Sequence, residues 1–185
     1  MNDVTPTPLP LLPRRAADSH KGHYGRLLLV GGSRGMAGAV ALAGMAALRG
    51  GAGLVTLAVP ESIQPTVAGF EPSFMTSALG GRGADALGAD DAELLLAMAQ
   101  RSDVVALGPG LGRAADTVRL VHRLFHRIEQ PMILDADGLN ALAGHPELLQ
   151  RPAGPRVLTP HGGEFERLAG APCAAGAADR ACLLY

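Results

Sequence analysis

Short apolar runs alternate with helix-like segments along this chain. Each run ends at a glycine, a proline or a polar cluster, which is typical of strands that are buried on both faces. The predicted strands cover residues 26–30, 54–59, 103–107, 132–134 and 156–158, with a candidate edge strand at 73–78. Strands that alternate with helices need right-handed crossovers. The sequence therefore predicts an α/β fold, a mostly parallel sheet with helices on both faces.

Three segments have the composition or periodicity of helices. Residues 36–48 are rich in alanine, leucine and methionine and stop before two glycines. A helix is also predicted after Asp90, with acidic residues in its first turn. Apolar residues recur every three or four positions within 116–128, which predicts an amphipathic helix. Four methionines are expected to fill the core: Met36, Met45, Met75 and Met98.

Composition predicts one compact domain. Of the 185 residues, 48% are hydrophobic and 18% are charged, which is sufficient for a sizeable core. We place the domain at residues 20–185, after a flexible, proline-rich lead-in at 1–19. A net charge of −1 gives no electrostatic attraction to nucleic acid or to an anionic membrane. Neither is therefore an expected partner.

Compartment signals favour the cytoplasm. The longest uncharged apolar stretch, residues 35–48, is shorter than the ~18 residues that a membrane span needs. The first residues lack the basic region and apolar block of a signal peptide. Cys173 and Cys182 have no metal-ligand spacing, so we expect both to be reduced.

Glycine-rich or polar clusters follow four of the predicted strands, at residues 31–33, 108–112, 135–140 and 159–164. In a parallel sheet the carboxyl ends of the strands meet at one edge, here called the carboxyl edge, where ligands bind. We therefore expect these four loops to lie side by side. The sequence Gly-Pro-Gly-Leu-Gly at 108–112 also offers backbone amides that favour an anion.

Each cluster also has a purely structural interpretation. The glycines at 31–32 would suit a tight turn into the next helix. Asp135 and Asp137 would cap the helix that follows them, or would contact ribose hydroxyls or a metal-bound water. His161 would be a solvated loop residue, and Glu164 would complement the dipole of the next helix.

Lys21 is the only lysine in the chain, which excludes two classes of enzyme. A short-chain dehydrogenase needs a downstream Tyr-x-x-x-Lys pair, and a Walker A loop ends in Gly-Lys-Ser or Gly-Lys-Thr. A dinucleotide-binding module without that pair stays open, with Glu61 as its ribose ligand. His122 and His126 have the spacing of zinc ligands, but we predict that both lie opposite the apolar stripe of their helix and bind no metal.

Five motifs occur in a characteristic order: His-Lys-Gly-His-Tyr-Gly at 20–25, a glycine- and alanine-rich run at 31–60, Gly-Pro-Gly-Leu-Gly at 108–112, Leu-Asp-Ala-Asp-Gly-Leu-Asn-Ala-Leu at 134–142, and Thr-Pro-His-Gly-Gly-Glu-Phe-Glu-Arg-Leu at 159–168. Together they closely resemble the ADP- or ATP-dependent NAD(P)H-hydrate dehydratases of the ribokinase-like superfamily. The resemblance implies a ribokinase-like fold. It also implies the repair of damaged nicotinamide nucleotides, in which NAD(P)H hydrate is dehydrated to NAD(P)H and AMP or ADP is released with phosphate.

The resemblance also implies which groups take part. Ala39, Gly110 and His161 would contact the hydrated nicotinamide nucleotide. The implied cofactor is Mg²⁺, with ADP or ATP as co-substrate, and the implied assembly is a homo-oligomer, a tetramer in the intact family.

Three further residues, Asp135, Asp137 and Asn140, would lie near the phosphates or the metal. No protein ligand to a metal is assigned.

The sequence departs from the family at its end. Family members continue through a Lys-Gly strand and a Gly-Thr-Gly-Asp segment whose aspartate is the expected catalytic base. Neither element occurs before Tyr185, so we expect a domain truncated at the C-terminus, with no catalytic residue and little activity by itself. Two alternatives stay open: a ribokinase-like kinase for a small molecule such as a vitamin precursor, and a non-catalytic nucleotide-binding remnant.

Overall fold

A six-stranded parallel sheet forms the centre of the protein. The structure, a computed structural model, describes residues 14–172. The strands are β1 Arg26–Val30, β2 Leu54–Pro60, β3 Met75–Leu79, β4 Val104–Leu107, β5 Met132–Leu134 and β6 Arg156–Leu158. Their spatial order is β3-β2-β1-β4-β5-β6, and all neighbours are parallel. The predicted α/β class is confirmed, and the candidate edge strand is β3.

Helices cover the sheet from both sides. They are α1 Ala37–Arg49, α2 Gln64–Ala68, α3 Ala92–Ala99, α4 Ala115–Arg127, α5 Asp137–Leu142, α6 Pro146–Leu149 and α7 Gly162–Ala169. One face packs against α1 and α2 and the other against α3, α4 and α5. Leu28 and Leu29 of β1 belong to opposite cores, which is why this strand is apolar without alternation. Between residues 14 and 172, no helix combines the length and apolar character needed to cross a membrane.

The order of the strands reverses between β1 and β4. From β1 the chain runs outward through β2 to β3, then returns to add β4, β5 and β6 on the other side of β1. Such a reversal leaves a crevice at the carboxyl ends of the two central strands, where ligands bind in open α/β sheets. The loops after β1 and β4 therefore occupy the position where a site is expected.

The motif at 20–25 packs against the opposite, amino end of the sheet. Residues Lys21–Tyr24 form a 3₁₀ turn, and the Gly53 N–H donates to the Tyr24 carbonyl oxygen at 2.8 Å. A Cβ on Gly53 would lie 1.8 Å from the Lys21 carbonyl oxygen. The turn thus fits only against glycine, and this motif positions β1 and β2.

Part of the predicted lead-in contacts this same end of the molecule. Arg15 stacks over the Tyr24 ring at 4.1 Å from its centroid and donates to the Gly51 carbonyl oxygen at 2.9 Å. Residues 1–13 lie outside the described part of the chain, as do Cys173 and Cys182.

Two of the methionine predictions are wrong. Met36 and Met75 are 47% and 48% exposed, whereas Met45 and Met98 pack against the cores. Met75 lies on β3 at the edge of the sheet, and Met36 precedes the first turn of α1.

The predicted placement of His122 is also wrong. His122 is half-buried, and its Nε2 lies 2.6 Å from the Ala141 carbonyl oxygen, because α5 packs beside α4. His126 is exposed, with Nδ1 3.1 Å from the Arg151 carbonyl oxygen.

Glu93 on α3 forms ion pairs with two arginines of α4. Arg123 Nη2 lies 2.6 Å from Glu93 Oε1, and Arg127 contacts the same oxygen. Hydrogen bonding by Arg127, assisted by the charges of both arginines, holds the pKa of Glu93 below its ordinary value. A carboxyl group whose pKa is lowered by folding stabilises the fold above its unfolded-state pKa, and this contribution is lost as pH falls through the folded-state pKa.

Glu93→Gln should therefore lower the unfolding midpoint slightly at neutral pH and leave it unchanged in acid. The effect is small because exposed ion pairs contribute little. Denaturant titrations of the wild type and of Glu93→Gln measure this difference in unfolding midpoint, once at neutral pH and once below the folded-state pKa of Glu93. An equal difference at the two pH values would contradict the ion-pair explanation.

Candidate functional site

The loops after β1 and β4 are in direct contact at the carboxyl edge. The Gly32 N–H donates to the Pro109 carbonyl oxygen at 2.8 Å, and Ser33 Oγ donates to the Gly110 carbonyl oxygen at 2.8 Å. A Cβ on Gly31 would lie 2.5 Å from the Pro109 oxygen. Gly31 therefore permits a close approach of two backbones, while Gly32, with a φ of +77°, makes the turn.

Ala39 and Gly110 lie together over this contact. A Cβ on Gly110 would be 3.2 Å from Ala39 Cβ and 3.0 Å from Met36 Cβ. Gly110 is buried beneath these two residues, and Ala39 is half-buried in the first turn of α1. The structure thus brings two of the three predicted nucleotide-binding residues into one place.

The loops after β4 and β5 approach each other even more closely. Gly108 has a φ of +136°, and a Cβ there would lie 1.8 Å from the Asp135 carbonyl oxygen. A Cβ on Gly138 would lie 2.6 Å from the Leu107 carbonyl oxygen. Between them Ala136 has a φ of 50°, the one positive φ of a residue other than glycine among residues 14–172. Positive φ at such residues is strained and concentrates at functional sites.

A chain of side-chain hydrogen bonds links these loops to α7. Asp137 Oδ2 accepts from the Gly112 N–H at 2.9 Å, and its Oδ1 accepts from Arg113 Nε at 3.3 Å and from Asn140 Nδ2 at 3.1 Å. Asn140 Oδ1 in turn accepts from Arg167 Nε at 2.9 Å. The chain of contacts therefore runs from the loop after β4, through α5, to the helix that follows β6.

His161 begins α7 at the outer end of the carboxyl edge. Its Nδ1 accepts from the Gly163 N–H at 3.1 Å, and Glu164 Oε2 accepts from the His161 N–H at 3.0 Å. This reciprocal pair is a capping box. Glu164 is 6% exposed, with Oε1 3.2 Å from His161 Nε2. Both residues thus define the start of the helix, and the exposed His161 ring faces outward beside Gly163.

All predicted site residues follow the neighbouring strands β1, β4, β5 and β6, as expected. The structure changes what some of them do. Asp135 Oδ1 accepts from the Ala136 N–H at 2.9 Å, so this side chain supports the strained turn. Glu61, the ribose ligand of the alternative dinucleotide site, accepts from the Gly83 N–H at 2.8 Å and so fixes a neighbouring loop.

Sequence reasoning missed the arginines of this site. Arg113 directly follows the glycine-rich loop, and Arg167 lies one turn beyond Glu164 on α7. The sequence did contain a hint, since an arginine next to a glycine-rich loop that favours anions is a candidate anion ligand. Many other arginines lie equally close to the motifs, so this hint did not single out Arg113 and Arg167.

Carboxylates at this edge do not form a preformed cation cage. Both Asp137 oxygens already accept hydrogen bonds, and residues 14–172 contain no group of three or more His, Cys, Asp or Glu arranged to hold a metal. In sites of this kind Mg²⁺ is held largely by the phosphates of the nucleotide.

Known proteins of one family are similar to this chain over most of its length. A family model described as NAD(P)H-hydrate dehydratase matches residues 27–182. The chain belongs to this family. A bifunctional NAD(P)H-hydrate repair enzyme of Moorella thermoacetica is 49% identical over 169 residues, covering 91% of this chain and 32% of that protein. An ADP-dependent (S)-NAD(P)H-hydrate dehydratase of Streptococcus pneumoniae is 39% identical over 158 residues, covering 84% of this chain and 50% of its own length.

Solved structures share the fold. The ADP/ATP-dependent NAD(P)H-hydrate dehydratase of Bacillus subtilis, co-crystallized with ATP/Mg²⁺, superposes with a TM-score of 0.65 at 34% identity, over 87% of this chain and 53% of that one. A ribokinase-like superfamily protein of Enterococcus faecalis gives a TM-score of 0.71 at 24% identity, over 92% and 58%. The fold is therefore ribokinase-like. The chain spans about a third of the bifunctional relatives and about half of the dehydratases it matches.

Proposed function

We propose that this chain supplies the loop-bearing part of an ADP-dependent NAD(P)H-hydrate dehydratase, and that its carboxyl edge binds the hydrated nicotinamide nucleotide. The observation that carries the proposal is the contact between Ala39 and Gly110 at the strand-order reversal. Membership of the dehydratase family supports the choice of substrate. The use of ADP or ATP with Mg²⁺ is supported by the names of the relatives.

Each predicted binding residue contributes a distinct property to such a site. Ala39 presents only a methyl group beside the loop after β4, so it adds little bulk where a nucleotide would lie. Gly110 lets the loop after β4 turn at a φ of +71° directly below it. His161 offers an exposed ring at the outer end of the edge, fixed through its Nδ1.

The proposed reaction needs positioning more than covalent chemistry by the protein. The phosphoryl group of ADP moves to the C6 hydroxyl of the hydrate and AMP leaves; loss of phosphate and a ring proton then restores the double bond. Charge stabilisation and alignment carry such transfers. The ring proton needs a base. We predict nucleotide binding by the 185-residue chain.

Two measurements test the proposal. Calorimetry with NADPH and with its hydrate should show saturable binding to the 185-residue chain. Incubating a form of the protein that spans the length of its dehydratase relatives with hydrate, ADP and Mg²⁺ should restore the near-ultraviolet absorbance of reduced nicotinamide. No binding and no regeneration would overturn the proposal. A stable phosphate ester in place of free phosphate would indicate the alternative small-molecule kinase.

Replacing Ala39 should weaken binding without weakening the fold. In Ala39→Leu a larger side chain projects from the first turn of α1 beside the loop after β4, so we expect NADPH affinity to fall at least about tenfold, as for a steric conflict of about 1–3 kcal/mol. Ala46→Leu is the matched control, because Ala46 is exposed and lies two turns further along the same helix. Equal affinities of the two variants in calorimetry would contradict the placement of the nucleotide.

Self-association, magnesium dependence and a cytoplasmic location stay predictions. These three predictions follow from the family resemblance and from the sequence. Analytical ultracentrifugation with and without nucleotide would test self-association.

A further inference from the structure

Two arginines converge on the hydrogen-bonded pair Asp137 and Asn140. Arg113 comes from the loop after β4 and Arg167 from α7, and each uses its Nε atom for the contact. Within the described residues, the terminal Nη atoms of both guanidinium groups have no hydrogen-bond partner. Both side chains are exposed, so these four donor nitrogens are open to a ligand.

The direction of each guanidinium is set by the chemistry of its neighbour. An ionised carboxylate only accepts hydrogen bonds, so the Asn140 amide must turn its NH₂ group towards Asp137. Its carbonyl oxygen then faces Arg167 and receives Nε–H. A guanidinium is planar, so a hydrogen bond at Nε fixes the plane of the whole group; Nη2 lies on the same side as the Nε–H bond, and Nη1 is directed to the other side. Asp137 orients Arg113 in the same way.

Arg167 reaches towards the predicted nucleotide-binding residue of its own helix. A Cβ on Gly163 would lie 3.5 Å from Arg167 Nη1 and 3.3 Å from His161 Cε1. The guanidinium and the imidazole therefore border the same small space at the start of α7.

The two arginines differ in the charge of the group that their Nε atom contacts. The Arg113 charge is largely matched by Asp137, whose side chain is 18% exposed. Arg167 instead faces a neutral amide, and Glu164, the nearest buried carboxylate on α7, is engaged by His161. A phosphoryl group meets the remaining donors well, since planar guanidinium forks match its oxygens.

We propose that Arg113 and Arg167 bind a phosphoryl group of the nucleotide, and that Asp137 and Asn140 act as positioning residues for them. This inference rests on the proposed function, because it needs a nucleotide at the carboxyl edge. The sequence resemblance places Asp137 and Asn140 near the phosphates or the metal; in the present proposal both residues act indirectly, by orienting the two arginines. The phosphoryl group belongs either to the nicotinamide nucleotide or to the phosphoryl donor.

The test is calorimetric titration of the 185-residue chain with NADPH, NADH and ADP. Arg113→Gln and Arg167→Gln should each lower the affinity for at least one nucleotide about tenfold to a hundredfold, as expected for the loss of a charge-assisted hydrogen bond. A loss of affinity confined to NADPH indicates that the arginine binds the 2′-phosphate. A loss for both NADPH and NADH indicates the diphosphate, and a loss for ADP indicates the phosphoryl donor. Raising the salt concentration should weaken wild-type binding more than binding by Arg167→Gln, because screening acts on the removed charge.

A double-mutant comparison distinguishes a positioning role of Asn140 from a role in maintaining the fold. Asn140→Ala should weaken binding less than Arg167→Gln, and the double variant should be no weaker than Arg167→Gln alone, since both remove one contact. Arg167→Lys should restore part of the affinity. Arg119→Gln is the matched control: its side chain is 65% exposed, like that of Arg113, and it pairs with Asp116 on the same helix.

The outcomes distinguish this inference from the proposed function. If wild-type protein binds none of the three nucleotides, both fail. If wild-type protein binds but Arg113→Gln and Arg167→Gln bind equally well, with unchanged salt dependence, only the role of the arginines is wrong. A loss of affinity that Arg119→Gln reproduces would also overturn it.

Discussion

Gly108→Ala should prevent stable folding or lower the free energy of unfolding by about 4 kcal/mol or more, the range reserved for severe backbone conflicts. The new Cβ would overlap the Asp135 carbonyl oxygen at 1.8 Å, and the residue would keep a φ of +136°. Backbone atoms cannot rotate away as a side chain can, so β4 and β5 would have to separate. Because domains are stable by only about 5–15 kcal/mol, this loss is a large part of the total. Circular dichroism and denaturant titration measure it.

Gly38→Ala is the control for this variant. A Cβ on Gly38 meets no atom within 4 Å, and the residue lies inside α1. Alanine there should leave stability unchanged or raise it by up to about 1 kcal/mol through helix propensity. If Gly108→Ala unfolds at the same denaturant concentration as the control, the close backbone approach at the carboxyl edge is wrong.

Arg156→Met should lower the free energy of unfolding by about 3 kcal/mol, because it leaves several buried carbonyl groups without donors. Arg156 Nη2 donates to the carbonyl oxygens of Phe125 at 2.7 Å and Ile128 at 2.5 Å, and Nη1 donates to that of Gln130 at 3.1 Å. These groups close the C-terminal end of α4, where a positive charge is favourable. Burial lowers the pKa of the guanidinium.

Lysine at this position gives the decisive comparison. Arg156→Lys keeps the charge but cannot reach both sides of the helix end, so it should recover about half of the loss. Arg119→Met, which removes an exposed ion pair on the same helix, should change stability by less than about 1 kcal/mol. Equal denaturation midpoints for Arg156→Met and Arg119→Met would show that the carbonyl contacts contribute little.

The sequence by itself predicted the fold closely. Short apolar runs such as 27–30 are typical of strands buried on both faces, and their alternation with helices leaves few topologies. The adjacency of the four loops could also be predicted, because each glycine-rich or polar cluster directly follows a strand. The family was identified from the motifs, and the comparisons confirmed it.

Details that depend on neighbours could not be predicted. Methionine is a residue type that is common in protein cores, yet Met75 is 48% exposed because it lies on the edge strand β3. His122 has a zinc-like spacing, yet it contacts the Ala141 carbonyl oxygen because α5 packs there. Helix periodicity describes only one element and carries no information about the element that packs against it.

What the sequence determined by itself was the order of strands and helices and the loops that carry polar groups, since both depend on local patterns. Only the tertiary structure decided which donors reach these side chains. Asp137 accepts hydrogen bonds from Gly112 and Arg113, and Asn140 accepts one from Arg167. A carboxylate has a fixed number of acceptor sites, and which donors reach them depends on segments that are distant in the chain. The step from motif to chemical role therefore needed the folded arrangement of four separate loops.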